Sequence, residues 1–285
     1  MTLRSPRATT LLREKWSRAG LTVGFVPTMG ALHAGHLSLI ERARRENDKV
    51  VVSIFVNPLQ FGPKEDLARY PRPFRRDLAL CREAGADALY HPSAEALYPA
   101  GFSTSVEVST LSETLCGALR PGHFRGVATV VAKLLCRLRP HALYLGEKDF
   151  QQLAVLRRMV LDLELPVRVV GCPTVREPDG LALSSRNAYL SPEERARAPR
   201  LHRALLAGRG AARLRGADRA RVRAAMRREL SKDPDIRAEY LEVVDADTLR
   251  PPRRLSGRLR LLGAVRVGKT RLIDNIPLIC KDGPP

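Results

Sequence analysis

The sequence predicts an α/β fold, with a parallel sheet and covering helices over residues 1–174 and a smaller α+β domain over 175–285. Three observations carry this. Short β-branched apolar runs alternate with helical patterns through the first 175 residues, the signature of βαβ units. One run, 50–56, is almost purely apolar, as expected of a strand covered on both faces. After Gly171 the texture changes to Ala/Arg-rich helical sequence followed by short strands, which puts the boundary near 172–180.

Taken in order, residues 21–26 read as the first strand, followed by a Pro/Gly loop and a helix near 36–47. The apolar run 50–56 is the second strand, and 87–90 and 142–145 are further ones. Residues 150–163 place apolar side chains at 153, 156, 160 and 163, which is helical spacing. The run 167–170 closes the series. Beyond it, 193–230 is helical, interrupted by Pro199 and several glycines, and 239–244 and 259–267 read as short strands.

Composition narrows the function. No apolar run approaches the ~18 residues needed to span a bilayer. The first twenty residues lack the apolar stretch of a secretory signal. The expectation is a cytoplasmic protein with no membrane partner. Five widely spaced cysteines (81, 116, 136, 172, 280) form no C-x-x-C pair, which argues against a disulfide framework or a zinc site. The formal net charge of +19 raises nucleic-acid binding as a possibility. However, Lys supplies only 8 of the 49 basic residues, and the arginines are scattered without interleaved aromatics. A solvated basic surface binding no specific nucleic acid is the expectation.

Four motifs carry chemistry. The first is Val26-Pro27-Thr28-Met29-Gly30-Ala31-Leu32-His33-Ala34-Gly35-His36, where a strand runs through a glycine-bearing loop into a helix expected near His36. Orphan backbone N–H groups and the helix dipole make that junction an anion site. Two imidazoles three residues apart can then face one phosphate. The second is Asn57-Pro58-Leu59-Gln60, just past the apolar strand; its uncharged amides suit a substrate bearing hydroxyl and carboxylate groups. The third, Gly146-Glu147-Lys148-Asp149-Phe150-Gln151-Gln152, offers a mobile cation for phosphates, with Gln152 one helical turn after Lys148. The fourth is Val175 followed by Leu181-Ala182-Leu183-Ser184-Ser185-Arg186-Asn187, whose two hydroxyls and guanidinium can wrap a leaving pyrophosphate.

His-x-Gly-His in a strand–loop–helix context resembles the signature of the nucleotidyltransferase superfamily that attacks the α-phosphate of ATP. All four motifs in this order resemble the pantothenate synthetase (pantoate–β-alanine ligase) family, nearly continuously over 25–190. The stretch Leu115-Cys116-Gly117-Ala118-Leu119-Arg120-Pro121-Gly122-His123-Phe124-Arg125-Gly126-Val127 and the tail Thr270-Arg271-Leu272-Ile273-Asp274-Asn275 are similar to that family too. The resemblance implies a Rossmann-like N-terminal domain, a smaller C-terminal lid and a homodimer. It also implies ATP-dependent condensation of (R)-pantoate with β-alanine through a pantoyl-adenylate, with Mg²⁺ accompanying ATP and no metal ligand named by the sequence. Carried over by position, Met29, Gly30, Ala31, Leu32, His33, Ala34, Gly35 and His36 would bind ATP. So would Gly146, Glu147, Lys148, Asp149, Val175, Leu183, Ser184, Ser185 and Arg186. His36 resembles the catalytic histidine, acting electrostatically with Lys148, Ser184, Ser185 and Arg186. Gln60 and Gln152 resemble the pantoate contacts, and Asn57, Arg120 and His123 border that pocket. The sequence departs from the family at Cys136-Arg137-Leu138-Arg139 and across 195–230, which are unusually basic.

Two rival classes share some of these features. A nucleotidylyltransferase leaving AMP on its product would share His-x-Gly-His without needing the Gln60 and Gln152 pair. A nucleic-acid-binding protein would use the arginine surface alone. Finally, Gly263-Ala264-Val265-Arg266-Val267-Gly268-Lys269-Thr270 fits G-x-x-x-x-G-K-[ST]. A phosphate-binding loop of that type needs a long following helix. Only fifteen residues follow Thr270, and Pro277 is among them, so a β-turn is expected instead.

Overall fold

The computed structural model describes residues 1–63 and 65–280. The chain divides into two compact units. One comprises Met1–Glu147 and Gln151–Pro173; the other comprises Lys148–Phe150 and the residues from Thr174 onward.

The first unit runs β1 (Thr2–Leu3), α1 (Pro6–Arg18), β2 (Val23–Thr28), α2 (Ala34–Glu46), β3 (Lys49–Ile54), α3 (Phe74–Glu83) and β4 (Ala88–Tyr90). It continues through α4 (Ala94–Leu97), α5 (Cys116–Leu119), α6 (His123–Leu138), β5 (Ala142–Gly146), α7 (Phe150–Asp162) and β6 (Arg168–Cys172). Its six strands are all parallel, in the order β1-β4-β3-β2-β5-β6. The chain steps from β2 to β3 to β4 in one direction, then returns to place β5 on the other side of β2. That reversal creates a topological switch point at the carboxyl ends of β2 and β5, where open parallel sheets bind ligands. The loops leaving β2, β3 and β5 begin the first three motifs.

β3 is buried from Val50 to Ile54, which explains its unbroken apolar run. Beneath it, Val26, Ile40, Ala43, Val50, Val52, Leu89 and Tyr144 join one core with the inner faces of α2 and α3. β2 extends two residues later than the pattern predicts and includes Pro27. Beyond Phe25 only β3 pairs with β2, so a residue lacking an N–H is accommodated there. Helices α1, α3 and α6 are not marked by the sequence reading. The β-branched content of α6 (HFRGVATVVAKLLCRL) masks its periodicity, and burial along most of its length compensates for the weaker helix propensity.

In the second unit, α8 (Pro192–Arg197), α9 (Arg200–Ala211) and α10 (Arg219–Leu230) pack on an antiparallel sheet. That sheet consists of β7 (Ile236–Asp245), β8 (Gly257–Val267) and β9 (Thr270–Cys280), in that order. Leu201, Leu205, Val222, Met226, Val243, Leu261 and Val265 form its core. The sequence marks two strands here, and the structure has three. The third strand, β9, contains Pro277, a residue that breaks helices and is rare inside strands. In β9 it lies exposed on an edge strand, opposite Arg260, where a missing donor costs little. The G-x-x-x-x-G-K-T stretch is a tight hairpin: Val267 pairs with Thr270 across Gly268-Lys269, and β9 follows directly. Among the described residues no helix is long and apolar enough to cross a membrane.

Candidate active site

The loop from β2 to α2 is fixed by its own hydrogen bonds. Thr28 Oγ1 donates to Ser53 O (2.7 Å) and accepts from Gly30 N (3.2 Å). Gly30 and Ala31 both take left-handed backbone angles, φ 84° and 51°. That leaves two successive N–H groups, of Ala31 and Leu32, aimed at α3, where Asp77 accepts them at 2.8 and 2.9 Å. Asp77 is only 1% exposed. A side chain at position 30 would meet Asp77 Oδ2 at 2.9 Å, so glycine is required by both backbone angle and space.

α2 starts at Ala34, two residues earlier than expected, and this changes what the histidines do. His33 is the N-cap, its Nδ1 accepting from Gly35 N (3.2 Å). His36 is the third helical residue, its Nδ1 accepting from His33 N (3.4 Å). The pair forms a capping box with imidazoles in place of the usual hydroxyl and carboxylate. The rings lie 4.1 Å apart at 43°. With each Nδ1 accepting, the neutral rings carry their protons on Nε2, which makes Nε2 the donor atom.

After β3, Asn57 and Gln60 form the second cluster. Asn57 is 1% exposed and uses both ends of its amide within the protein. Nδ2 donates to Gln60 Oε1 (3.1 Å) and Gly126 O (3.0 Å), while Oδ1 accepts from Leu59 N (3.3 Å) and Tyr98 OH (2.8 Å). Burial pushes the Tyr98 hydroxyl well above its ordinary pKa, so it remains a donor. Gly126 lets α6 cross this turn, since a Cβ there would lie 2.2 Å from Leu59 O. Gln60, 8% exposed, donates from Nε2 to Met29 Sδ (3.0 Å), which ties the second motif to the first.

Arg120 and His123 brace the same turn from behind. Arg120 Nη2 and His123 Nδ1 both donate to Gln60 O, at 3.3 and 2.8 Å. Arg120 Nη1 lies 3.0 Å from His123 Nε2, and since arginine only donates, this sets the histidine tautomer. Glu65 closes the cluster through a two-pronged contact with Arg120 (2.7 and 2.6 Å). Burial disfavours the Glu65 carboxylate, but the Arg120 hydrogen bonds and charge outweigh it and hold its pKa below the ordinary range.

In the third motif, the adjacent glutamines of α7 have different duties. Gln151 is buried and satisfied, donating to Leu111 O and Thr114 O (2.8 and 2.7 Å) and accepting from Cys116 N (3.0 Å). Gln152 is half-buried, and its side chain makes no hydrogen bond among the described residues. Lys148 Nζ lies 3.7 Å from Asp149 Oδ2.

The fourth motif sits wholly in the second unit. Leu183 N donates to Val175 O (3.0 Å), and Arg176 bridges Ala182, so 175–183 is a small hairpin. Ser184 caps the single 3-10 turn Ser185–Tyr189, its Oγ accepting from Arg186 N (3.3 Å). Asn187 Nδ2 donates to Ala182 O (3.1 Å) and holds the turn against the hairpin. Residues 183–186 are all half-buried.

Residues 2–277 match the pantoate–β-alanine ligase family. The chain belongs to that family. The pantothenate synthetase of Moorella thermoacetica is 54% identical over 92% of this chain and 93% of that one. The crystal structure of the pantothenate synthetase of Thermus thermophilus superposes with a TM-score of 0.91 at 53% identity, covering 96% and 98% of the two chains. That of the pantoate–β-alanine ligase of Francisella tularensis, complexed with β-γ ATP and β-alanine, gives 0.79 at 34% identity over 97% of each.

In this pantoate–β-alanine ligase fold, the residues that hold the motif side chains were not marked in the sequence. Asp77, Glu65 and Tyr98 each anchor a motif through bonds reaching 41 or more positions along the chain. The signal that could have found Asp77 is the accounting of backbone donors. A Gly-Ala-Leu turn into a helix leaves N–H groups that need a buried acceptor.

Proposed function

We propose that the β2–α2 loop receives the α-phosphate of ATP and that Gln60 and Gln152 hold pantoate, in a two-step ligation to β-alanine. The reaction itself, ATP-dependent formation of pantothenate, is that of the family. The assignment of its steps to these residues is our reading. The observation that carries it is the β2–α2 junction, where a loop and helix N-terminus bearing two imidazoles follow a central strand at the switch point of a parallel sheet.

In the first step a pantoate carboxylate oxygen attacks the α-phosphorus of Mg-ATP and the bond to pyrophosphate breaks. Negative charge builds on the phosphoryl oxygens, and His36, Lys148, Ser184, Ser185 and Arg186 stabilise it without covalent chemistry. In the second step the free amine of β-alanine attacks the acyl carbon and AMP departs. Backbone groups of residues 29–36 and 146–149, with Val175 and Leu183, complete the ATP contacts. Gln60 is suited to pantoate because its amide is held by Asn57 and Met29 and carries no fixed charge. Asn57, Arg120 and His123 serve by positioning Gln60, since their bonds converge on it. A homodimer and a cytoplasmic location belong to the same proposal, and sedimentation at micromolar concentration should give twice the chain mass.

Product analysis with Mg-ATP, pantoate and β-alanine tests the reading. Pantothenate, AMP and pyrophosphate should appear in equal amounts. A product that retains AMP would identify a nucleotidylyltransferase instead.

A further inference from the structure

Two of the proposed ATP-binding elements, Lys148 and the turn at 184–186, are tied to adjacent buried residues of β9. Asp274, with a side chain 4% exposed, accepts a two-pronged contact from Arg176: Nη1 to Oδ2 at 2.7 Å and Nη2 to Oδ1 at 2.8 Å. Arg176 also donates to Gly180 O (3.0 Å) and Asn275 O (3.2 Å), which pins both arms of the hairpin that delivers Ser184. His202 Nδ1 lies 3.5 Å from Asp274 Oδ2. Burial works against the Asp274 carboxylate, yet the contacts of His202 and Arg176 keep its pKa below the ordinary range.

The next residue serves the other element. Asn275, 3% exposed, donates from Nδ2 to Lys148 O at 2.9 Å. Its backbone N–H donates to Asp274 Oδ1 (2.7 Å), so the two positions are locked together. Two residues after Lys148, the ring of Phe150 lies 3.9 Å from the Arg260 guanidinium. The segment Lys148–Phe150 is thus held by β8 and β9 at both ends.

A buried ion pair is a poor device for stability alone, because desolvation offsets most of its attraction. What the Arg176–Asp274 pair supplies, and an apolar pair would not, is a fixed orientation. We propose that Arg176, Asp274 and Asn275 are a positioning network that sets the Lys148 segment and the 184–186 turn for the polyphosphate of ATP. The inference rests on the reading of those two elements as ATP-binding.

Steady-state kinetics on the full chain test it. Asn275→Ala should raise the KM for ATP roughly tenfold, the scale of one hydrogen bond, and leave the KM for pantoate within about twofold. In a Lys148→Ala background the same change should add little, because residues acting through one another are not additive. Arg176→Lys keeps the charge but not the two-pronged contact, and should also raise the KM for ATP. It provides the test if Asn275→Ala does not fold. If Lys148→Ala alone leaves the KM for ATP unchanged, the underlying ATP reading fails. If Lys148→Ala raises it, but folded Asn275→Ala or Arg176→Lys does not, the network is overturned. Full additivity in the double mutant would overturn it equally.

Discussion

At the scale of single residues, His36 in our reading combines two jobs that are usually separate. Its Nδ1 caps a backbone N–H, and this bond sets the tautomer that makes Nε2 the donor. Removing the ring should cost turnover far more than stability, since the cap bond is long, at 3.4 Å. His36→Ala is expected to lower kcat by roughly 10²–10³, the scale for losing one transition-state donor. A folded variant with the kcat of the parent would take His36 out of the mechanism. Asp77 is the converse case, a residue that binds no substrate in our reading yet determines where the loop lies. Asp77→Asn replaces one acceptor oxygen with an NH₂ that faces a backbone N–H. The cost should be about 1–3 kcal/mol for an unmade buried bond, seen as a lower Tm, together with a raised KM for ATP. An unchanged Tm would show that the loop does not depend on this carboxylate.

At the scale of elements, how much was legible depended on whether the cause was local. The apolar run of β3 and the 3.6-residue spacing of α7 are written in consecutive residues, and both elements appear within one or two residues of expectation. The start of α2 was missed by two residues because His33 is not a usual N-cap. Only the structure reveals that an imidazole nitrogen takes the place of a hydroxyl. Asn57, Arg120 and His123 stand beside the site in the sequence, but their bonds to Gly126, Tyr98, Glu65 and Gln60 are hidden there, because those partners lie 41 or more positions away. β9 was hidden for a different reason, since nothing local distinguishes an edge strand containing proline from a loop. The hairpin it forms with β8 disposes of the phosphate-loop match, because Gly268 and Lys269 are the two turn residues. Lys269→Ala should therefore leave the KM for ATP within about twofold, the effect of an ordinary surface change. A tenfold rise would mean that this turn meets nucleotide after all.

At the scale of the whole molecule, the +19 charge is an excess of basic residues that internal ion pairing does not cancel. Some arginines of the basic 195–230 region are paired, among them Arg195 with Asp179, Arg200 with Glu229 and Arg223 with Glu242. For the ligase reaction, the question at this scale is the order of bond making. Within the first unit the loop proposed for ATP touches the residue proposed for pantoate, through Gln60 Nε2 and Met29 Sδ at 3.0 Å. In our reading, a carboxylate held by Gln60 would lie beside the α-phosphate before any amine is needed. The enzyme should then exchange labelled pyrophosphate into ATP with pantoate alone, because the adenylate forms and reverses without β-alanine. Gln152→Ala should suppress this exchange through weaker pantoate binding, by about 1–3 kcal/mol for a lost polar partner, and saturating pantoate should restore it. Exchange that strictly requires β-alanine would mean that the amine takes part before pyrophosphate leaves, and the two-step order would have to be abandoned.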